Sequence, residues 1–254
     1  MKRLFAMLLV IAMVFALCAC GGSDEKKPVD NAGVEDMGGD NIESDVPPVT
    51  NEDGVDMTLM ERMEKILGQE LDLDQYDISY LDSEMAILYL KDGGEVELDF
   101  AVNLDDGSTI QLPVRYGDLL NAGWTSSANW EDSAAGGTMG SAMHTNASGD
   151  TVHLSIVNPT DETLPLADIW VNSITVGDVF TAGFDIEGIT LGSSVSDIIS
   201  VWGNPYSISF FITDDYMDLE LIIEDAEGTL SLQIDSETSL VSAAVYRYDS
   251  ANLQ

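Results

Sequence analysis

The chain has 254 residues and a formal net charge of −37 at pH 7, and 45% of its residues are hydrophobic. The hydrophobic content excludes a wholly disordered acidic tail. The scarcity of cations excludes nucleic acid as a partner, because phosphates would not be neutralised. Five basic residues lie beyond Lys27: Arg62, Lys65, Lys91, Arg115 and Arg247. We attribute the acidity to solubility outside the cell; attraction of cations or of a basic partner is the alternative.

The first twenty residues have the pattern of an export signal. Two basic residues precede an apolar run, residues 4–19, which suits a signal-peptide core and is short for a membrane span of roughly 20 residues. The run resembles the bacterial lipoprotein signal, with Cys20 as the lipidated residue after Leu17 and Ala19. We predict a signal peptide over residues 1–19 and an acyl lipid on Cys20. An ordinary secretory peptide or a true membrane anchor is the alternative.

Cleavage before Cys20 removes Cys18, so the remaining chain has one cysteine and forms no internal disulfide. Residues 20–55 are rich in Gly, Asp, Glu, Pro and Asn without an apolar period, which predicts a flexible acidic tether. We therefore expect a protein that is anchored by lipid to the outer side of the cell membrane, with no cofactor besides that lipid.

Residues 56–182 are predicted to form a helix followed by a first α+β unit. The helix is expected over residues 57–71, because Leu59, Met63 and Ile66 lie on one apolar face.

Several strands are expected within this unit. Residues 85–90 and 95–102 are predicted to form a hairpin around a Lys-Asp-Gly-Gly turn. Residues 125–150 are polar and rich in glycine, which predicts a long loop. A later strand is expected to bury Trp170 and Ile174.

Residues 183–254 are predicted to form a second unit. Its helix is expected to begin after Ser193 or Ser194, either of which suits an N-cap, and to end at Gly203. Four residues form the apolar face of this helix: Val195, Ile198, Ile199 and Trp202. Four antiparallel strands are expected after it: residues 207–212, 219–224, 229–234 and 240–246.

The two units share a pattern. Residues 110–124 and 189–203 each read as an apolar strand, a turn and a short helix, closed by glycine and tryptophan in opposite order. This predicts an internal repeat, with chance similarity as the alternative because such units are common.

The later segment resembles the repeat of the SmpA/OmlA (BamE-like) lipoproteins and of β-lactamase inhibitory protein, in which a short helical segment packs on one face of an antiparallel sheet. Seven residues carry this resemblance: Ile189, Leu191, Gly192, Val195, Ile198, Gly203 and Pro205. The earlier segment, with Leu112-Pro113 and Ala122-Gly123-Trp124, is similar to a companion domain of extracellular lipoproteins from Gram-positive gut bacteria. The resemblance implies a binding or scaffold role. The chain lacks the inhibitor's structural disulfides, and no inhibitory residue is carried across.

Two tryptophans and one histidine are the candidate binding residues. Trp124 and Trp130 flank the polar loop, where flat aromatic side chains suit sugar stacking or a protein contact; core packing is the alternative. His144 lies in that loop, whereas His153 is expected to face solvent from a strand. Either histidine is a candidate base of a hydrolase, although no His-Glu-x-x-His or Gly-x-Ser-x-Gly motif is present.

Two acidic clusters weakly resemble calcium sites, and both are predicted to be solvated turns without metal. They are Asp72, Asp74 and Asp77, and Asp214, Asp215 and Asp218. The first lacks the glycine and the final glutamate of an EF-hand loop.

These observations predict an α+β fold of two small units, each a short helical segment packed on an antiparallel β-sheet, behind a signal peptide and tether. The predicted function is a non-catalytic, membrane-anchored lipoprotein that binds a protein, peptide or glycan at the cell envelope. An extracytoplasmic hydrolase and a calcium-responsive binding module are the alternatives.

Overall fold

A computed structural model describes residues 58–67, 71–82, 84–93, 96–177, 179–213 and 216–253. The predicted signal peptide, Cys20 and the predicted tether lie outside these residues, as do Asp214 and Asp215. Apart from Tyr216, the described residues belong to one compact unit.

Strands dominate the described residues, with 47% in strands and 17% in helices. The α-helices there are α1 (Leu59–Leu67), α2 (Tyr116–Asn121) and α3 (Val195–Trp202). Short 3₁₀ turns lie at Leu73–Gln75, Leu166–Asp168 and Ser250–Asn252. The strands are β1 (Tyr76–Leu81), β2 (Met85–Leu90), β3 (Ala101–Leu104), β4 (Thr109–Gln111), β5 (Val114–Arg115), β6 (Thr125–Ser126), β7 (Ser133–Ala134), β8 (Met139–Thr145), β9 (Thr151–Val157), β10 (Leu164–Pro165), β11 (Trp170–Gly177), β12 (Phe184–Ile186), β13 (Ile189–Thr190), β14 (Ser207–Thr213), β15 (Tyr216–Asp225), β16 (Gly228–Ile234) and β17 (Val241–Tyr248).

Eleven of these strands form one antiparallel sheet. Its order is β1-β2-β14-β15-β16-β17-β11-β9-β8-β6, and β5 pairs with one end of β11. Side chains alternate between the two faces of each strand. On β9, for example, Val152, Leu154 and Ile156 are buried, while the side chains between them are half-buried. The buried faces of the strands and of the α-helices contribute to a single hydrophobic core.

The element order repeats. The hairpin β3–β4 precedes α2 and then β6, β8, β9 and β11, and the hairpin β12–β13 precedes α3 and then β14 to β17. The two hairpins pair through β3 and β12 in a four-stranded sheet, and the two strand runs pair through β11 and β17. The residue before each helix pairs with the beginning of the last strand of its run. Arg115, before α2, pairs with Trp170 at the start of β11, and Ser194, before α3, pairs with Leu240 just before β17. The repeat predicted for residues 110–124 and 189–203 thus has a structural counterpart.

The helix α3 confirms its predicted cap and apolar face. The Ser194 hydroxyl accepts a hydrogen bond from the Asp197 backbone N–H at 3.2 Å, and the Asp197 carboxylate accepts one from the Ser194 N–H at 2.8 Å. Such reciprocal bonds satisfy two donors that a helix start otherwise leaves free. Val195, Ile198 and Trp202 are buried. None of the described helices combines the length and hydropathy that crossing a bilayer requires.

The fold is mostly β, so the predicted pair of α+β units is wrong. Strands from both sides of residue 182 lie in one eleven-stranded sheet, beside two small sheets. The four strands expected after α3 are present as β14 to β17. They do not form a separate sheet, because β17 pairs with β11 of the preceding strands. This junction satisfies backbone groups that two separate sheets would leave at open edges. The α-helices are only six to nine residues long, so they cover little of the sheet.

The predicted hairpin of residues 85–90 with 95–102 is also wrong. The strand β2 pairs with β1 and β14, whereas β3 pairs with β4 and β12 in the four-stranded sheet. The turn signal that suggested the hairpin is local, and it does not specify which strand becomes the neighbour.

The predicted loop over residues 125–150 contains β6, β7 and the seven-residue strand β8. The inward positions of β8 are Gly140, Ala142 and His144. None of them is a large apolar residue, so the alternation that normally predicts a half-buried strand is missing.

Candidate functional site

His144 lies in a buried hydrogen-bond network. Its side chain is 0% exposed on the inward face of β8. Its Nδ1 lies 2.9 Å from the Ala142 carbonyl. Because a carbonyl only accepts, Nδ1 carries the hydrogen and donates it. The other ring nitrogen, Nε2, accepts a hydrogen bond from the Tyr116 hydroxyl at 3.0 Å. Burial lowers the pKa of His144, so the imidazole is neutral at neutral pH. Both ring nitrogens are occupied, which leaves neither of them to act as a base towards a substrate.

Trp130 extends this network. Its Nε1–H donates to the Ser126 hydroxyl at 2.8 Å, and its half-buried ring packs on β8 at Gly140. A Cβ atom at Gly140 would lie 2.5 Å from the ring, so only glycine permits this packing. Tyr116 contacts the same group, and burial raises the pKa of its hydroxyl.

Trp124 is 4% exposed and belongs to the hydrophobic core. Its backbone N–H donates to the Leu119 carbonyl at 3.1 Å, just beyond the end of α2. The structure therefore brings Trp130 and His144 into one network and places Trp124 in the core. All three lie on the covered side of the large sheet, where they stabilise the fold.

His153 lies on the opposite face of that sheet. Its cross-strand neighbours are Met143 and Thr175, and its ring centroid is 5.9 Å from that of Phe180. It points away from the core as expected, but it is half-buried rather than fully solvated, and burial lowers its pKa. Among the described residues no carboxylate hydrogen-bonds to this imidazole, as the base of a catalytic triad requires.

Two aspartates of the first acidic cluster, Asp72 and Asp77, have structural partners for their carboxylates. The Asp72 carboxylate accepts hydrogen bonds from the Asp74 N–H at 3.1 Å and from Gln75 Nε2 at 3.2 Å, which caps a 3₁₀ turn. Asp77 forms an ion pair with Lys91 at 3.8 Å. Within the described ranges, no group of three or more His, Cys, Asp or Glu side chains is arranged to hold a metal ion.

The outward side of the large sheet forms a continuous surface, which we term the open face. Cross-strand pairing aligns its side chains in rows from β8 to β15. The first row is Met143, His153, Thr175, Val245, Ser231 and Ile222. The second row is Ser141, Ser155, Ser173, Arg247, Thr229 and Glu224. The third, shorter row is Met139, Val157, Trp170 and Arg115.

The composition of the open face differs from that of the whole chain. Its three rows carry two arginines and one glutamate, and Glu220 lies on the same side of β15, hydrogen-bonded to Ser231 of the first row. The described face therefore has little net charge, in a chain of net charge −37. Met139 and Met143 are 62% and 42% exposed. Methionine, arginine and aromatic residues are enriched at the centres of protein interfaces, whereas carboxylates are depleted there. The open face is therefore suited to contact with another macromolecule.

Comparisons with protein families, with curated proteins and with solved structures gave no match to this chain. The resemblance to the SmpA/OmlA lipoproteins and to β-lactamase inhibitory protein stays a prediction.

Sequence reasoning missed the open face for two reasons. Met139 and Met143 fall in the segment predicted to be a loop. Their spacing of two residues on either side of Ser141 nevertheless places all three on one side of a strand. Trp170 was predicted to be buried with Ile174, because the two share the same parity along one strand. A β-bulge between Val171 and Ser173 changes that parity and turns Trp170 outward.

Proposed function

We propose that this protein is an extracytoplasmic lipoprotein that binds a protein partner on the open face, without catalysis. The acyl anchor predicted at Cys20 holds it to the membrane. The observation that carries the proposal is the low charge of the open face within a strongly acidic chain.

Desolvation explains why this observation matters. Burying a carboxylate in an interface costs much free energy unless a partner group compensates it. The open face presents hydroxyl groups and apolar side chains at most positions, so covering it with a partner costs little. The thioethers of Met139 and Met143 adapt to the shape of a partner because their side chains are flexible.

The dimensions of the open face favour a protein over a small ligand. Its first two rows cross six strands, which span roughly 24 Å at about 4.8 Å per strand. A standard protein interface buries about 800 Å² on each partner, and a face of this width contributes much of that area.

The hydrolase alternative has less support. Both ring nitrogens of His144 are hydrogen-bonded within the fold, and the side chain is fully buried. The calcium alternative is weakened because Asp72 caps a turn and Asp77 pairs with Lys91.

Capture from a cell-envelope extract tests the proposed surface. We expect the full-length protein to retain a partner and Val245→Glu to reduce that retention at least about tenfold. The introduced carboxylate would be buried in the interface, and a penalty of about 1.4 kcal/mol already weakens the affinity tenfold. Val245 lies in the centre of the first row. The matched control is Val201→Glu, since Val201 is 40% exposed on α3, outside the open face.

Quantitative mass spectrometry of the retained proteins gives the readout, and circular dichroism checks that each variant is folded. Met143→Glu serves as a second variant at an exposed position if Val245→Glu does not fold. Equal retention by the open-face variants and by Val201→Glu would refute the proposal.

Acylation of Cys20 is tested separately by metabolic labelling with a radioactive fatty acid in a bacterium that processes lipoproteins. We expect the wild type and Cys18→Ala to be labelled and Cys20→Ala to carry no label, because thioether linkage to the lipid needs the Cys20 sulfur. An unlabelled wild type, or a labelled Cys20→Ala variant, would contradict the predicted anchor.

A further inference from the structure

Two arginines occupy neighbouring outward positions on the open face. Arg247 pairs with Ser173, and Arg115 pairs with Trp170, both on β11. A chain with 46 acidic residues and nine basic ones therefore places two of its few cations on the same side of the large sheet, next to the same strand.

Neither arginine forms an ion pair within the described residues. No carboxylate lies within 4.0 Å of either guanidinium there, whereas Lys91 does pair with Asp77. Glu224 shares a row with Arg247 but lies two strands away, which separates their backbones by roughly 10 Å. Asp118 and Asp168 line a surface cavity of about 440 Å³ together with Arg115.

Arg115 is held in place by an aromatic ring and a backbone carbonyl. Its guanidinium carbon lies 3.6 Å from the centre of the Trp170 ring, and its Nη1 donates to the backbone carbonyl of Asp168. A guanidinium has five N–H donors, so one bond to a carbonyl leaves others for a ligand. Stacking on an aromatic ring orients the planar group, which reduces the entropy that binding must remove. Arg247 is exposed on β17.

We propose that Arg115 and Arg247 bind a carboxylate of the partner, supplied by an aspartate or glutamate side chain. This inference rests on the proposed function, since it names the chemistry that the open face recognises. Paired arginines bind carboxylate oxygens through charge-assisted hydrogen bonds. Apolar residues beside that acid contact Trp170, Met139 and Val245, which surround the arginines in the rows.

The preference for an acidic partner can be tested because it opposes the electrostatic field of the whole chain. A chain of net charge −37 attracts basic peptides non-specifically. At physiological salt the screening length is about 8 Å, so local contacts outweigh that general attraction. An acidic preference can then arise only from local cations.

The probe is a displayed library of random dodecapeptides, selected on the immobilised full-length protein at physiological salt. We expect enrichment of peptides with one aspartate or glutamate between apolar residues, and a loss of their affinity of at least about tenfold in Arg115→Gln/Arg247→Gln. The charge-reversed variant, Arg115→Glu/Arg247→Glu, should instead enrich lysine and arginine. Lys65→Gln/Lys91→Gln is the matched control, because it removes the same charge from outside the face and should bind the selected peptides normally.

Three outcomes count against this account, and they are distinguishable. Peptides that lack an acidic residue but lose binding in Val245→Glu overturn the carboxylate site and leave the proposed function standing. Acidic peptides that bind equally well to the double glutamine variant also overturn the site. Selected peptides that bind Val245→Glu as well as wild type contradict the open face itself.

Discussion

Replacing Asn158 with leucine is expected to lower the free energy of unfolding by about 3 kcal/mol. The side chain is 0% exposed, and its Nδ2 group lies 3.0, 3.1 and 2.8 Å from the carbonyls of Ala134, Ala135 and Glu162. The two hydrogens of the amide are shared among these three acceptors. Its Oδ1 accepts from the Thr160 hydroxyl at 2.8 Å. Leucine has a similar volume but no donor, so one buried and two part-buried carbonyls lose their partner together.

These bonds fasten the segment that contains β7 to the segment that contains β10. Urea denaturation with linear extrapolation measures the change. Asn129→Leu is the matched control, because Asn129 is exposed in the same region, and it should change stability by less than about 0.5 kcal/mol. A loss below about 1 kcal/mol in Asn158→Leu would show that the loops are held by other contacts.

The second large effect concerns His144, whose replacement by phenylalanine is expected to cost about 2 kcal/mol at pH 8 and progressively less as the pH falls. At pH 8 the variant leaves the Tyr116 hydroxyl and the Ala142 carbonyl without their partner. Burial holds the pKa of His144 below its value of 6.5 in the unfolded chain. Between 6.5 and the lower folded pKa, the unfolded wild type binds more protons than the native one, so acid destabilises it.

Phenylalanine does not titrate, so the variant lacks this contribution. The gap in unfolding free energy between wild type and His144→Phe should therefore narrow from about pH 8 to about pH 5.5. Tyr116→Phe keeps the titrating imidazole, and it should retain the wild-type slope while losing stability. The pKa of His153 is also lowered by burial, so His153→Gln is measured to separate its contribution to the pH dependence from that of His144. A gap that is constant over this range would mean that His144 binds protons equally in both states.

Local signals in the sequence predicted local structure. The cap at Ser194, the apolar face of α3 and the four strands after it were predictable, because each depends on residues a few positions apart. The choice of partner strand was not. Nothing near β2 indicates that it pairs with β14, and nothing near β11 indicates that it pairs with β17. The fold class was wrong for this reason, since strand pairing decides whether two runs form one sheet or two.

The candidate site followed the same rule. Aromatic residues in a polar segment suggested a contact surface, but Trp130 and His144 pack inward because β8 has glycine and alanine beside them. Arg115 and Arg247 are far apart in sequence, and only their shared pairing with β11 brings them together. A single bulged residue was enough to reverse the expected side of Trp170.

The position of β1 has a mechanical consequence. It is the outer strand of the large sheet, and α1 precedes it in the chain. Tension on the anchor proposed at Cys20 reaches the described fold first at α1 and then at β1. An outer strand is hydrogen-bonded on one side only, so we expect it to open locally at a lower free energy than the centre of the sheet. The junction of β11 with β17 lies several strands from β1 in the sheet. We therefore expect the open face around that junction to keep its structure when β1 opens.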